Sequence, residues 1–368
     1  PESSPPPAQS WPARREGVMK QSPRPSVSPA ASVQYMLNPM HTALGVRLLR
    51  LLGSAPLSKR DVHLAGQTIL VTGASAGIGQ AVAASLVHLG ADVHITGRNT
   101  TVGERVAADL GCTFHSVDHS DMGATRAFAR DFSAKLERDG KALNCLVNNA
   151  AAMMNSHRRT EENHEGCVAL NLLGFWALVD ELVPALDKAP GGGRVVSSTS
   201  AGMYLYRLDV STLKDLDDGV PEWQGEGYDS IMAYSVTHRA RVLLTARWAA
   251  EAKRRGSTTR FSIAHPGWVD TPGLKGADAM AGFYKVTKPT LRDAAGGADT
   301  IAWLAAGLEG PNASPGAYYF DRRERPINMR FADTTQTQSD MDELLSFCAE
   351  RSRAGPFRDA SIAPDGSS

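Results

Sequence analysis

Neither sign of charge is in excess along this chain. Its 368 residues carry 39 Lys and Arg against 39 Asp and Glu, so no electrostatic footprint for a nucleic acid is expected. Cysteine is scarce: Cys112, Cys145, Cys167 and Cys348 stand far apart, with no C-x-x-C spacing. That argues against a disulfide framework or a thiolate metal site and makes a reducing compartment the default. Histidine offers no better metal set. The closest pair, His115 and His119, flanks Asp118 at what reads as a strand end, where an i,i+4 spacing does not bring two side chains to one face. No run of 18 apolar residues occurs, so no transmembrane helix is expected.

What is present is 42% apolar residues, enough in a chain of this length for one large domain with extensions. Residues 1–65 read as an N-terminal extension, 66–330 as the domain, and 331–368 as a C-terminal helix and tail. The first 34 residues are rich in Pro, Ser and Ala without periodicity, which is the pattern of a disordered or extended segment. Between Pro1 and Arg60, eight Lys or Arg face two acids, Glu2 and Glu16. Such an Arg-rich, acid-poor stretch suits an organellar transit sequence, with the mitochondrion as the expected destination, and equally suits a plain flexible tail in a cytoplasmic protein. Within residues 41–57, LGVRLLRLL at Leu44–Leu52 reads as a short basic amphipathic helix. It suits a membrane surface, the body of the protein, or a partner subunit.

From Gln67 the pattern changes. Short apolar runs that stop at glycine or a polar residue predict seven strands: TILVTG, ADVHIT, CTFHSV, ALNCLVNNA, GRVVSST, RFSIAHPG and GAYYFD. Helical spacing follows the first strand in IGQAVAASLVHLG and recurs over 122–138, 164–188, 230–255, 293–307 and 338–352. Strands alternating with helices predict an α/β fold, a doubly wound parallel sheet covered on both faces.

The first strand runs into Thr72-Gly73-Ala74-Ser75-Ala76-Gly77-Ile78-Gly79 and then a helix. In that context Gly73 permits a tight turn, Gly77 lets the backbone approach a pyrophosphate, and Gly79 lets helix and sheet sit close. The helix N-terminus offers free N–H groups to the phosphates. Ser75 and Ile78 lie on the same turn. An NAD site usually carries an acid at the end of the second strand. Here Gly97 stands there and Arg98 follows, a cation able to pair with a 2′-phosphate, so NADP(H) is the expected cofactor. Asp118, after the third strand, is placed to accept from an adenine amino group, and Asn148 and Ala150, after the fourth, border the cofactor path.

Taken in order, TGxxxGIG, NNA, a serine ending strand five, a tyrosine in the next long helix and Pro-Gly after strand six resemble the short-chain dehydrogenase/reductase family over about residues 66–325. The resemblance implies a Rossmann fold and hydride transfer between a nicotinamide and a carbonyl or alcohol carbon. It implies that Tyr234 is the acid/base and that Ser200 steadies the substrate oxygen, with Ser198 and Thr199 close enough to blur the register. It implies that Asn171 organises a water and that Pro266, Gly267, Val269 and Thr271 form the loop at the nicotinamide end. The long stretch between Ser200 and Tyr234 holds Trp223 and Tyr228, as a substrate wall or as loop core.

One position departs from the pattern. In AYSVTH, residue i+4 from the tyrosine is His238, where the family has a lysine that binds the nicotinamide ribose and lowers the tyrosine pKa. Bringing a tyrosine from about 10 towards neutrality takes about 3 units, on the order of 4 kcal/mol. A neutral imidazole can bond a ribose hydroxyl but supplies no charge; a nearby carboxylate that kept His238 protonated would restore one. Arg239 is turned about 100° away, and no neighbouring lysine replaces the missing cation. Three functions follow: an NADP(H)-dependent oxidoreductase weakened at His238, a catalytically silent accessory subunit held in a larger assembly through its extensions, or an NADPH sensor.

Overall fold

Thr68–Val71 (β1) is buried along its whole length, which is why it reads as an unbroken apolar run rather than an alternation. The structure, a computed structural model, describes residues 42–45, 57, 62–219, 227–328 and 334–352. After β1 come α1 (Gly77–His88), β2 (Asp92–Gly97), α2 (Thr100–Leu110), β3 (Thr113–Ser116), α3 (Met122–Arg138) and β4 (Leu143–Asn148). A π-helical turn, Val168–Gly174, leads into α4 (Phe175–Leu186) and β5 (Arg194–Ser198). Then follow α5 (Val210–Asp218), α6 (Ser230–Arg255), β6 (Arg260–His265), α7 (Pro272–Lys275), α8 (Ala281–Thr287), α9 (Ala294–Ala305), β7 (Tyr318–Phe320), β8 (Arg323–Glu324) and α10 (Gln338–Ser352).

The sheet order is β3-β2-β1-β4-β5-β6-β7-β8. Its pairs are parallel except β7 with β8. This is the doubly wound α/β fold that the alternation of strands and helices predicts. The seven expected strands are present. The eighth, β8, returns through a two-residue turn in which Asp321 and Arg322 both take φ of 55°, the left-handed geometry of a tight hairpin.

Two helices carry weak sequence signals. In α2, Gly103 lowers helix propensity, yet packing requires it: a Cβ there would sit 2.0 Å from the Phe114 ring. α5 is nine residues long and is fixed by its ends, with the Asp209 carboxylate accepting from Ser211 N–H and Gly219 closing it in the left-handed region. The long α6 has the same devices: Asp229 accepts from Met232 N–H, Gly256 ends it at φ 69°, and Lys253, Arg254 and Arg255 in its last turn complement the dipole.

Two apolar clusters flank the sheet. One gathers Phe175, Trp176 and Trp248 with the π-turn, α4 and α6; the other joins Ile69, Val71, Leu86 and Ile301. Helix α10, read from the sequence as part of an extension, buries Leu344, Phe347 and Cys348 in the first cluster and so belongs to the domain core. Val168–Leu186 is long and apolar enough to cross a membrane, with a mean hydropathy of 1.5, but 89% of it is buried inside the fold. It includes Asp180 and Glu181, which bind Arg126. The Pro-rich segment, most of the expected Leu44–Leu52 helix and Trp223 lie outside the described residues.

Candidate functional site

The strand order reverses between β1 and β4, and in such sheets ligands lie beyond the carboxyl ends of the strands at this point. A cleft of about 450 Å³ opens there. Its floor is the glycine turn. Gly73 and Gly77 take φ of 62° and 59°, and a Cβ on Gly73 would meet the Ala150 Cα at 2.9 Å. A Cβ on Gly79 would lie 2.5 Å from the Gly73 carbonyl oxygen, so α1 can approach the sheet only with glycine here. Helix α1 starts after Ala76, which has no side-chain cap, leaving the first amides directed at the cleft. Ser75 and Ile78 line the same floor.

At one end of the cleft stand Arg98 and Asp118, paired at 3.8 Å, with Arg98 largely in solvent and Asp118 partly buried. Asp118 also accepts from the Ser120 N–H and hydroxyl, at 2.9 and 2.7 Å. A Cβ on Gly97 would sit 2.9 Å from Ser75 Oγ, so a side chain at this strand end would require the Ser75 hydroxyl to turn away.

At the other end the three adjacent hydroxyls after β5 separate. Ser198 donates to the Asn149 carbonyl at 3.2 Å, and Thr199 donates to the His238 carbonyl at 3.2 Å. Ser200 accepts from Gly202 N–H and lines the cleft beside Tyr234, where its hydroxyl favours the ionised phenol. The Tyr234 ring lies 4.2 Å from the His238 ring, centroid to centroid. Pro266, Gly267, Val269 and Thr271 form the adjoining wall. There Thr271 caps α7 by accepting from Leu274 N–H, and Gly267, at φ 84°, leaves room for the Arg292 guanidinium. Beyond them Met153, Trp268, Met280 and Phe283 give the far end an apolar lining.

Two expected residues point elsewhere. Asn148 is buried, its amide donating to the Phe175 carbonyl at 3.1 Å, and its neighbour Asn149 lines the cleft instead. Asn171 is fully buried on the π-turn: its Oδ1 accepts from Ala152 N–H, and its Nδ2 donates to the Ala152 carbonyl and to Thr237 Oγ1. It clamps a cleft-lining loop to α6 rather than facing the cleft. Tyr228 is loop core, donating to Glu165 Oε1 at 2.9 Å. His119 contacts Thr96 and Thr125, and His115 contacts His94.

The electrostatics bear on the missing lysine. Burial, reinforced by the charge of Arg241, holds His238 well below the ordinary histidine range, so its imidazole is neutral. Among the described residues no carboxylate counters this, so a neighbouring acid does not sustain its protonation. Burial also raises the Tyr234 pKa, opposed by the Ser200 hydroxyl and by Arg241. The sequence reading missed Arg241, a cation seven residues along the same helix. The signal was there: seven residues return a helix to within about 20° of the starting face. Arg239 does point away, donating to Asn328 Oδ1 and Gln336 Oε1.

The histidines make stability fall in acid. Burial pushes His119 and His115 down to about 4, and His94 and His238 also lie low. Their folded values lie below the unfolded one, so between about 6.5 and 4 the unfolded chain binds protons that the folded chain refuses. The stability they contribute is lost as pH falls through that window, at up to about 1.4 kcal/mol per pH unit for the buried His119. Urea unfolding at pH 7 and pH 5 reads this directly, and equal midpoints would contradict it.

A short chain dehydrogenase family profile matches residues 67–208. Dehydrogenase/reductase SDR family member 12 of Bos taurus is 32% identical over 300 residues, covering 80% of this chain and 88% of that protein. Retinol dehydrogenase 12 of Bos taurus is 30% identical over 281 residues, 74% of this chain and 83% of the relative. Among solved structures, an uncharacterised protein from Mycobacterium paratuberculosis superposes with a TM-score of 0.62 at 23% identity, over 82% of this chain and 99% of its own. A 3-ketoacyl-(acyl-carrier-protein) reductase from Brucella melitensis, complexed with NADH, gives 0.50 at 22% identity, over 69% and 96%. At these identities the two structures speak for the fold.

Proposed function

The chain belongs to the short-chain dehydrogenase/reductase family, and from that premise we propose that it is an NADP(H)-dependent oxidoreductase of apolar carbonyl or alcohol substrates. The observation that carries the reading is that Ser200 and Tyr234 line one glycine-floored cleft, with the Ser200 hydroxyl favouring ionised Tyr234. The residues fit a dinucleotide. Cβ atoms at Gly73 and Gly79 would collide with backbone, so the floor is kept open for close approach, and the amides starting α1 face it. Arg98 is the group suited to a 2′-phosphate, at a strand end where glycine stands in place of an acid. The apolar far wall and the relative named for retinol, an apolar alcohol, support the substrate class.

When bound, NADPH would supply the hydride for the carbonyl carbon. The protein's part is the proton. Burial keeps Tyr234 protonated at neutral pH, the state a general acid needs to protonate the carbonyl oxygen as the alcohol forms. Ser200, lining the same cleft, is suited to be a second donor to that oxygen. His238 is neutral and buried, with Nε2 lacking a hydrogen-bond partner, so it suits a ribose hydroxyl and not the charge role.

The test is NADPH consumption with long-chain aldehydes and apolar ketones, alongside a binding titration. Cofactor binding with turnover supports the reading; absence of both rejects it. Binding without turnover, together with co-purification in a large complex, would favour the second reading, a silent accessory subunit, to which the neutral His238 gives its weight. The cofactor assignment has its own check. Arg98→Ala should weaken NADPH by about 10- to 100-fold, the worth of a charge-assisted hydrogen bond, and leave NADH nearly unchanged. Equal weakening of both in fluorescence titrations would remove it.

A further inference from the structure

We propose that Arg241, two helical turns beyond Tyr234, is the fixed positive charge that primes the Tyr234 phenol, a task divided here from the ribose contact left to His238. The assignment deepens the oxidoreductase reading and takes its chemical purpose from it. Arg241 is fully buried, its Nη2 donating to the Asn148 carbonyl at 2.7 Å and its Nη1 to the Ala150 carbonyl at 3.1 Å. Its Cζ lies 4.3 Å from the Phe175 ring centroid, and its Nε has no hydrogen-bond partner.

These hydrogen-bond partners are neutral. Two other buried arginines meet carboxylates, Arg126 with Asp180 and Glu181 and Arg292 with Asp321, whereas Arg239, like Arg241, is held by neutral oxygens but points away from the cleft. A carbonyl fixes a guanidinium's position without cancelling its charge. Burying a cation in this way is costly, and the field it leaves is screened far less than a surface charge. That field falls on the cleft, because Ala150, whose carbonyl holds the guanidinium, lines it together with Tyr234 and His238. Arg241 shares their helix face, about 20° short of two full turns from Tyr234.

Among the described residues, the other groups that bear on Tyr234 do not supply a cation. On its own helix His238 is neutral. From the loop after β5 comes the Ser200 hydroxyl, and ahead of the π-turn Cys167 opposes ionisation of the phenol, with Glu165 and Tyr228 hydrogen-bonded behind it. Arg241 favours the tyrosinate, and the tyrosinate in turn favours charged Arg241. Burial pushes the guanidinium down to about 9, which leaves it charged at neutral pH.

Arg241 is thus a positioning residue acting through Tyr234, and the test reads Tyr234 directly. Tyrosinate absorbance is titrated in the full chain and in Arg241→Gln, Arg241→Lys and His238→Gln, each measured against the same protein carrying Tyr234→Phe. The difference isolates one phenol and requires no turnover, so it stands or falls separately from the oxidoreductase reading. Arg241→Gln keeps a donor for the β4 carbonyls but removes the charge, and should lower the Tyr234 tyrosinate fraction at a fixed pH by about tenfold, one pKa unit. Arg241→Lys should restore most of it, and His238→Gln should leave the titration in place. A titration unmoved by Arg241→Gln, or one moved by His238→Gln instead, overturns the proposal. Should Arg241→Gln fail to fold, the lysine and His238 variants still decide: loss of the Arg241→Lys rescue, or dependence on His238, rejects it.

Discussion

Tyr234→Phe should bind NADPH as the unaltered chain does and reduce carbonyl substrates about 10²- to 10⁴-fold more slowly, the range general-acid catalysis contributes. The substitution removes one oxygen from a ring that stays packed against His238. The glycine floor, the amides of α1 and the Arg98 end lie on other elements, so cofactor affinity has no reason to move. The loss should therefore appear in kcat, with the KM for NADPH nearly constant. An equal rate in the phenylalanine variant would show that the proton comes from elsewhere. Ser200→Ala is the companion measurement. It removes the partner that favours ionised Tyr234, so the apparent pKa of the phenol should rise as the rate falls.

The second large effect lies outside the cleft. Asp321→Ala should cost about 3–5 kcal/mol of folding stability, the usual penalty for stripping a buried charge of its partner. Arg292 and Asp321 meet through two hydrogen bonds, of 2.8 and 3.1 Å, with both side chains almost wholly buried. Arg292 is also the brace of the nicotinamide-end loop: its Nη1 donates to the Pro266 carbonyl, its backbone N–H to Trp268, and its carbonyl accepts from Asp270. Losing Asp321 should therefore lower the urea midpoint and loosen the 266–271 wall together. Asp321→Asn tolerates the left-handed φ of 55° and keeps one acceptor, so its loss should be smaller. An alanine variant as stable as the parent would mean that water reaches the guanidinium.

The parts of this molecule legible in its sequence are those whose causes lie within a few residues of one another. The β1–glycine–α1 turn, the caps and length of α6, and the strand-helix alternation are local patterns, and the fold followed from them. Helix α2 was obscured because Gly103 answers to Phe114 across the sheet edge rather than to its own helix. Asn148 and Asn149 are adjacent at a strand end, and which of them faces the cleft depends on register, which alternates side chains residue by residue. Ser198, Thr199 and Ser200 posed the same ambiguity, resolved only by the approach of α6. Arg241 was hidden by a shorter step of reasoning, since one turn from Tyr234 reaches only His238. The Arg292–Asp321 pair joins two segments 29 residues apart and leaves no local trace.

The π-turn at Val168–Gly174 limits how chain length can change here. Each of its turns holds more residues than an α-helical turn, and at this point it carries Asn171, which grips Ala152, directly before Phe175, whose ring lies against Arg241. Single replacements leave that residue count alone. Removing one residue would let the turn relax to ordinary helix, with the flanking helix keeping its direction while residues within the turn shift by up to about 100° around the axis. Either the grip or the aromatic contact would then face the wrong way, so this stretch should accept new side chains far more readily than deletions.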